Sequence, residues 1–144
     1  MFLFLTTLLT VAAATPTPQP PHVAVDFRET EARTAPSGKA KIYRVAGQQE
    51  GAKNAFFGVL EIQPGARVPV HRDSTEEYLY IVTGGGKLTI DGTTTEIKEG
   101  FTVFMPAGAE VSFEVTGNEV VRAVQFFAGQ GPETKYEKWA LSAE

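Results

Sequence analysis

From residue 54 onward, short apolar runs alternate with Gly, Pro and Asp-Gly breaks, and no window carries the 3.6-residue period of an amphipathic helix. This texture predicts strands at 56–62, 67–71, 77–82, 87–91, 93–98, 102–105, 111–115 and 119–127. Asp91-Gly92 falls between two of these runs and is a hairpin signal, because both central residues of a type I′ turn need positive φ. Short strands at such regular spacing suit an all-β jelly roll. The run Gly84-Gly85-Gly86 has no Lys-Ser/Thr or helix after it, so it reads as a tight strand connection and not as a phosphate loop.

The pattern fades on both sides of this block. Residues 27–53 are mixed and polar, with one strand signal at 41–46, and are expected to form an N-terminal arm. Residues 15–26 include Pro16, Pro18, Pro20 and Pro21, which lack amide donors, so an extended linker is expected there. Residues 1–14 are an apolar run too short for a bilayer-spanning helix, ending in Ala12-Ala13-Ala14. That is the pattern of a signal peptide cleaved after Ala14, although no Lys or Arg precedes the apolar run. The expectation is a periplasmic or secreted protein that makes no membrane contact once the signal is removed. The tail, 129–144, carries Tyr136, Trp139 and Leu141, which suit either a short helix capping the barrel or an arm on a partner subunit.

Composition narrows the function. The chain has 144 residues, enough for one domain, and a net charge of −4 with no basic block, which argues against a nucleic-acid partner. It contains no cysteine, so disulfides, thiolate metal sites and thiol nucleophiles are excluded. A small-molecule ligand or another protein is left.

The candidate chemistry lies around residue 71. His71 and Asp73 are two apart and share a strand face, and Glu77 returns to that face if the turn preserves parity. Glu77 then leads Leu79 and Ile81 inward, with Tyr78, Tyr80 and Val82 on the other face. A carboxylate at the end of an apolar column needs a cation, a hydrogen-bond donor or a proton. Val111, Phe113 and Val115 make an apolar interior face. On the last strand Arg122 and Gln125 lie on opposite faces, each a lone polar residue among apolar ones, and either can be the pocket group. The other histidine, His22, lies in the linker. Tyr78, Tyr80, Phe101, Phe104, Phe113, Phe126 and Phe127 read as core or inter-subunit packing, compatible with a homodimer.

Two spacings carry a family resemblance. Gly65, five residues, His71-x-Asp73, three residues, Glu77, six residues and Gly84 follow in order, and then Gly100, five residues, Pro106-x-Gly108, two residues and Val111. This resembles the paired motifs of the cupin family and implies a double-stranded β-helix barrel over 54–128. Cupin metal ions are generally held by two His and a Glu from the first motif and a His from the second. Here Asp73 and Val111 stand at two of those positions. The resemblance therefore implies an altered metal site of His71, Asp73 and Glu77, whose oxygen-rich character suits Mn, Zn or Mg better than redox iron. Three functions remain open because the fold hosts many. The first is an exported protein binding a small molecule in its barrel, non-catalytic or weakly metal-binding. The second is a metal-assisted isomerase or lyase using His71, Asp73 and Glu77, and the third is a structural or interaction module.

Overall fold

Alternating inward and outward side chains need two apolar faces to bury against each other, and this chain satisfies that need with two antiparallel sheets. The computed structural model describes residues 24–142. The expected signal segment 1–14 and residues 15–23 of the expected linker lie outside the described residues. The strands are β1 (Ala32–Thr34), β2 (Ala40–Ala46), β3 (Phe56–Ile62), β4 (Arg67–His71), β5 (Glu76–Thr83), β6 (Gly85–Ile90), β7 (Thr93–Lys98), β8 (Thr102–Met105), β9 (Val111–Val115), β10 (Val121–Ala128) and β11 (Ala140–Leu141). Two 3-10 turns, Phe27–Glu29 and Pro132–Lys138, complete the chain. One sheet has seven strands in the order β11-β1-β2-β3-β10-β5-β8, and the other has four in the order β4-β9-β6-β7. Together they form a jelly roll. Among the described residues no helix is long and apolar enough to cross a membrane.

The period-two pattern explains the core. On β10, Val121, Ala123, Gln125 and Phe127 are buried while their neighbours face outward, and on β5 Glu77 and Ile81 are buried. One apolar cluster joins Ile81, Leu88, Ile97, Met105, Val111 and Ala123 between the sheets. A second joins Ile42, Phe56, Phe127 and Tyr136, so β2 and the tail share a core with the barrel. Phe56 and Phe127 are fully buried, worth about 1.5–3 kcal/mol each.

Residues 27–53, expected as an N-terminal arm, add β1 and β2 to the seven-stranded sheet. β2 pairs with β3 along Lys41↔Glu61, Ile42↔Leu60 and Tyr43↔Val59, and β1 extends the sheet beyond it. The tail makes a 3-10 turn and then pairs Arg33↔Leu141 and Thr34↔Ala140 at the sheet edge.

Two turn signals act differently. Asp91 and Gly92 have φ of 45° and 80°, as the hairpin requires. Of the glycine run, only Gly84 is the connection, with φ 71°. Gly85 and Gly86 are strand residues squeezed between neighbours: a Cβ would lie 2.2 Å from the Ile97 carbonyl oxygen and 2.1 Å from that of Glu114.

The aromatic residues divide between two faces. Phe127 and Phe113 point inward, whereas Tyr78, Tyr80, Phe104 and Phe126 stand exposed on the outer face of the seven-stranded sheet, not in the core. Phe57, Phe126, Tyr78 and Phe104 lie in one cross-strand row.

Candidate functional site

His71 ends β4 opposite Val111 of β9, and Glu77 begins the inward face of β5. The link between them is tied to the turn before β9. Gly108 N–H donates to the Asp73 carbonyl at 2.8 Å, and Arg72 donates to the Gly108 carbonyl at 2.6 Å and to Glu110 at 2.8 Å. These bonds place the Asp73 side chain toward the barrel mouth. One ligand-type atom each from His71, Asp73 and Glu77 then lies within 4.8 Å of the others.

Each of the three has a distinct partner. His71 Nδ1 is 2.9 Å from the Pro69 carbonyl, and Nε2 is 3.4 Å from Asp73 Oδ2. Both ring nitrogens therefore face oxygen acceptors, which suits the doubly protonated imidazolium. Asp73 raises the His71 pKa above its ordinary value, outweighing burial. Burial pushes the Asp73 carboxyl upward, but His71 and Lys135 together outweigh it, and the net shift is downward. Lys135 Nζ lies 3.0 and 2.9 Å from the two Asp73 oxygens.

Glu77 is 6 % exposed, and burial raises its pKa against the opposing hydrogen bond from Gln125. Gln125 Nε2 donates to Glu77 Oε1 at 2.7 Å, while Gln125 Oε1 accepts from the Tyr136 hydroxyl at 2.7 Å. Burial pushes the Tyr136 hydroxyl well above its ordinary pKa, so it is a committed donor. The result is a buried relay, Tyr136 to Gln125 to Glu77, in which the amide orientation is fixed from both ends.

These groups line a cavity of about 750 Å³. Its walls are apolar, built from Leu79, Ile81, Leu88, Ile97, Met105 and Phe113. Of the sequence-predicted pocket residues, Val111, Phe113 and Gln125 line it. Arg122 does not, which corrects the expectation that left it open. β10 pairs Phe127 with Glu77, so the odd-numbered residues of that strand face inward and Arg122 faces out. There it donates to Glu61 Oε1 at 2.9 and 2.7 Å and lies over the Phe27 ring.

Sequence reasoning missed Lys135 and did not place Tyr136 or Trp139 in the site. The available signal is the tail's aromatic pair, which suits a cap or an arm on a partner subunit alike and says nothing of the neighbouring lysine, which the turn Pro132–Lys138 brings in.

By donor type, His71, Asp73 and Glu77 can hold a divalent cation. As arranged, they do not fit a resident metal ion. Both Asp73 oxygens are engaged by Lys135, Glu77 Oε1 is engaged by Gln125, and Val111 offers an alkyl group beside His71.

Comparison with known proteins agrees with this geometry. A family model described as "Cupin domain" matches residues 58–127. The chain is 29% identical over 130 residues to the dimethylsulfoniopropionate lyase DddW of Ruegeria pomeroyi, covering 88% of this chain and 84% of that protein. It is 27% identical over 84 residues to the polyketide synthase CurC of Streptomyces cyaneus, covering 58% of this chain and about half, 54%, of that protein. Among solved structures, the polyketide cyclase RemF from Streptomyces resistomycificus superposes with a TM-score of 0.69 at 19% identity, covering 78% of this chain and 82% of that one. A cupin from Shewanella frigidimarina gives 0.67 at 16% identity, with 79% and 96% covered. The two motifs, the jelly roll and the matched segment together place this protein in the cupin superfamily as a small cupin domain.

Proposed function

We propose that this cupin binds a small, largely apolar organic molecule inside its barrel and directs one polar group of that molecule at Glu77 and His71. The observation that carries this reading is the make-up of the cavity lining: a set of buried apolar side chains, and a hydrogen-bonded polar cluster that includes His71, Asp73, Glu77, Gln125 and Lys135. Such a combination fixes a ligand's orientation while burial supplies its affinity. Cupin-fold proteins commonly bind small molecules, which supports the reading. Binding of this kind uses the site as it stands and calls for no Mn, Zn or Mg ion.

The test is a thermal-shift screen with aryl and alkyl carboxylates, ketones and phenols. At least one stabilises the wild type, loses its effect in Ala123→Phe, which fills the cavity, and keeps it in Arg122→Ala on the outer face. A compound that stabilises Ala123→Phe as well as the wild type binds elsewhere and overturns the reading.

A second reading, an acid–base enzyme of lyase type, is favoured by one observation. Glu77 is a buried carboxyl with a raised pKa, 2.7 Å from Gln125 and beside an imidazole, which is the pairing that proton transfer to or from a bound substrate uses. The similarity to a dimethylsulfoniopropionate lyase supplies the first substrate to try. Release of dimethyl sulfide from dimethylsulfoniopropionate, abolished in Glu77→Gln, supports it; no release removes that substrate from the reading. Export through residues 1–14 belongs to the same proposal, and amino-terminal sequencing of the protein from the extracytoplasmic fraction tests it by the expected new end at Thr15.

A further inference from the structure

We propose that Lys135 is the barrel's own cation, taking the place that a metal ion holds in other cupins and leaving His71, Asp73 and Glu77 as a latent metal site. The ammonium is not a loose surface charge. It meets both oxygens of Asp73, at 3.0 and 2.9 Å, and lies 4.9 Å from the centre of the Phe127 ring and 5.5 Å from that of Tyr136. Two aromatic rings and a carboxylate thus hold it, with the Asp73 side chain 12% and the Lys135 side chain 35% exposed.

The position is set by the fold and not by the flexible stem alone. Thr134 N–H and Oγ1 both bond the Gly131 carbonyl, at 3.0 and 2.6 Å, and Gly131 N–H bonds buried Glu133 at 2.7 Å. Tyr136, the next residue after Lys135, is anchored through Gln125. The segment therefore presents the ammonium to Asp73 from a fixed turn, across 62 positions of sequence.

The electrostatic consequence is exclusion. A divalent ion placed among His71, Asp73 and Glu77 shares the Asp73 carboxylate with the ammonium, which weakens that pair, and it sits within a few ångströms of a second positive charge. Val111, in register with His71, adds no ligand to offset that loss. Removing the ammonium while keeping an apolar stem frees Asp73, and the trio then has the donor types of an ordinary divalent site.

The experiment compares wild type, Lys135→Arg, Lys135→Met and Lys135→Gln, purified without a histidine tag and stripped with chelator. Manganese and zinc chloride are titrated by calorimetry, and retained metal is measured by elemental analysis after dialysis. The expected result is weak, sub-stoichiometric binding by wild type and Lys135→Arg. In Lys135→Met, affinity rises by about tenfold or more and approaches one ion per chain. A melting curve identifies any variant that fails to fold, and Lys135→Gln, which keeps a polar contact to Asp73, then carries the comparison. Wild-type protein that retains about one ion per chain through dialysis overturns the proposal, as do folded variants that bind no more tightly than wild type. No organic ligand enters this titration, so its outcome is separate from that of the ligand screen.

Discussion

Replacing Tyr136 with Phe removes one oxygen from the barrel and leaves the ring in place. The ring is 2% exposed, with its centroid 5.9 Å from that of Phe56 and 4.9 Å from that of Trp139, so its packing survives. What is lost is the hydroxyl that donates to Gln125 Oε1 at 2.7 Å. A net hydrogen bond contributes about 0.5–1.5 kcal/mol, and a buried carbonyl left without a donor brings the cost to about 1–3 kcal/mol. Gln125→Leu is the matching perturbation from the middle of the relay. It strands the Tyr136 hydroxyl and Glu77 Oε1 together, and costs roughly 2–5 kcal/mol. The double variant costs less than the sum, because removing the hydroxyl also removes one of the two stranded groups. Urea unfolding measures all three. With a slope near 2 kcal/mol per molar, Tyr136→Phe moves the midpoint by about 0.5–1.5 M. A Tyr136→Phe midpoint indistinguishable from wild type, or strictly additive costs, would refute the relay as a buried, coupled unit.

Two further outcomes follow from the packing and the charges. Gly86→Ala drives a Cβ into the Glu114 carbonyl at 2.1 Å between β6 and β9, and is expected to abolish soluble folded protein, measured as the soluble fraction and its circular dichroism. His71 has a raised pKa in the folded state, so its stabilising contribution is full below its ordinary value of 6.5 and is lost as pH rises through the folded value. The stability gap between wild type and His71→Gln should therefore narrow as pH rises above 6.5, read from urea midpoints; a gap that widens over that range contradicts the His71–Asp73 pairing. Asp73 works in the other direction: its lowered pKa contributes stability above its ordinary value of 3.8 that is lost as pH falls through the folded value.

The barrel was legible where local chemistry decides structure. β3, β4, β7, β8 and β9 occupy the spans that alternation and breakers marked, because each strand carries its own period and most connections carry a glycine or proline, the link 72–75 excepted. β6 starts earlier than its side chains suggest, since Gly85 and Gly86 have no apolar signal yet are demanded by the close approach of β7 and β9. Parity alone put Glu77, Leu79 and Ile81 on one face but left Arg122 against Gln125 undecided. That choice depends on the register Phe127↔Glu77, a long-range fact absent from either strand. Lys135 was illegible for the same reason, since a lysine in a 3-10 turn announces nothing about a carboxylate 62 positions earlier. β1 and β11 have three and two residues, too few to carry a period at all.

That short pairing of β1 with β11 governs timing. Thr34 and Ser142 share a 2.6 Å hydrogen bond across 108 positions, and Ser142 N–H reaches the Ala32 carbonyl at 2.9 Å. By loop-closure entropy it is among the costliest pairings in the sheet and has only a two-residue strand to hold it, so it forms late and opens first. The tail that carries Lys135 and Tyr136 is held a second time, before β11, by Tyr136 buried against Phe56 and Phe127 and bonded to Gln125. Fraying of this edge therefore stops at the turn Pro132–Lys138, and β11 can open while the barrel and its polar cluster stay folded.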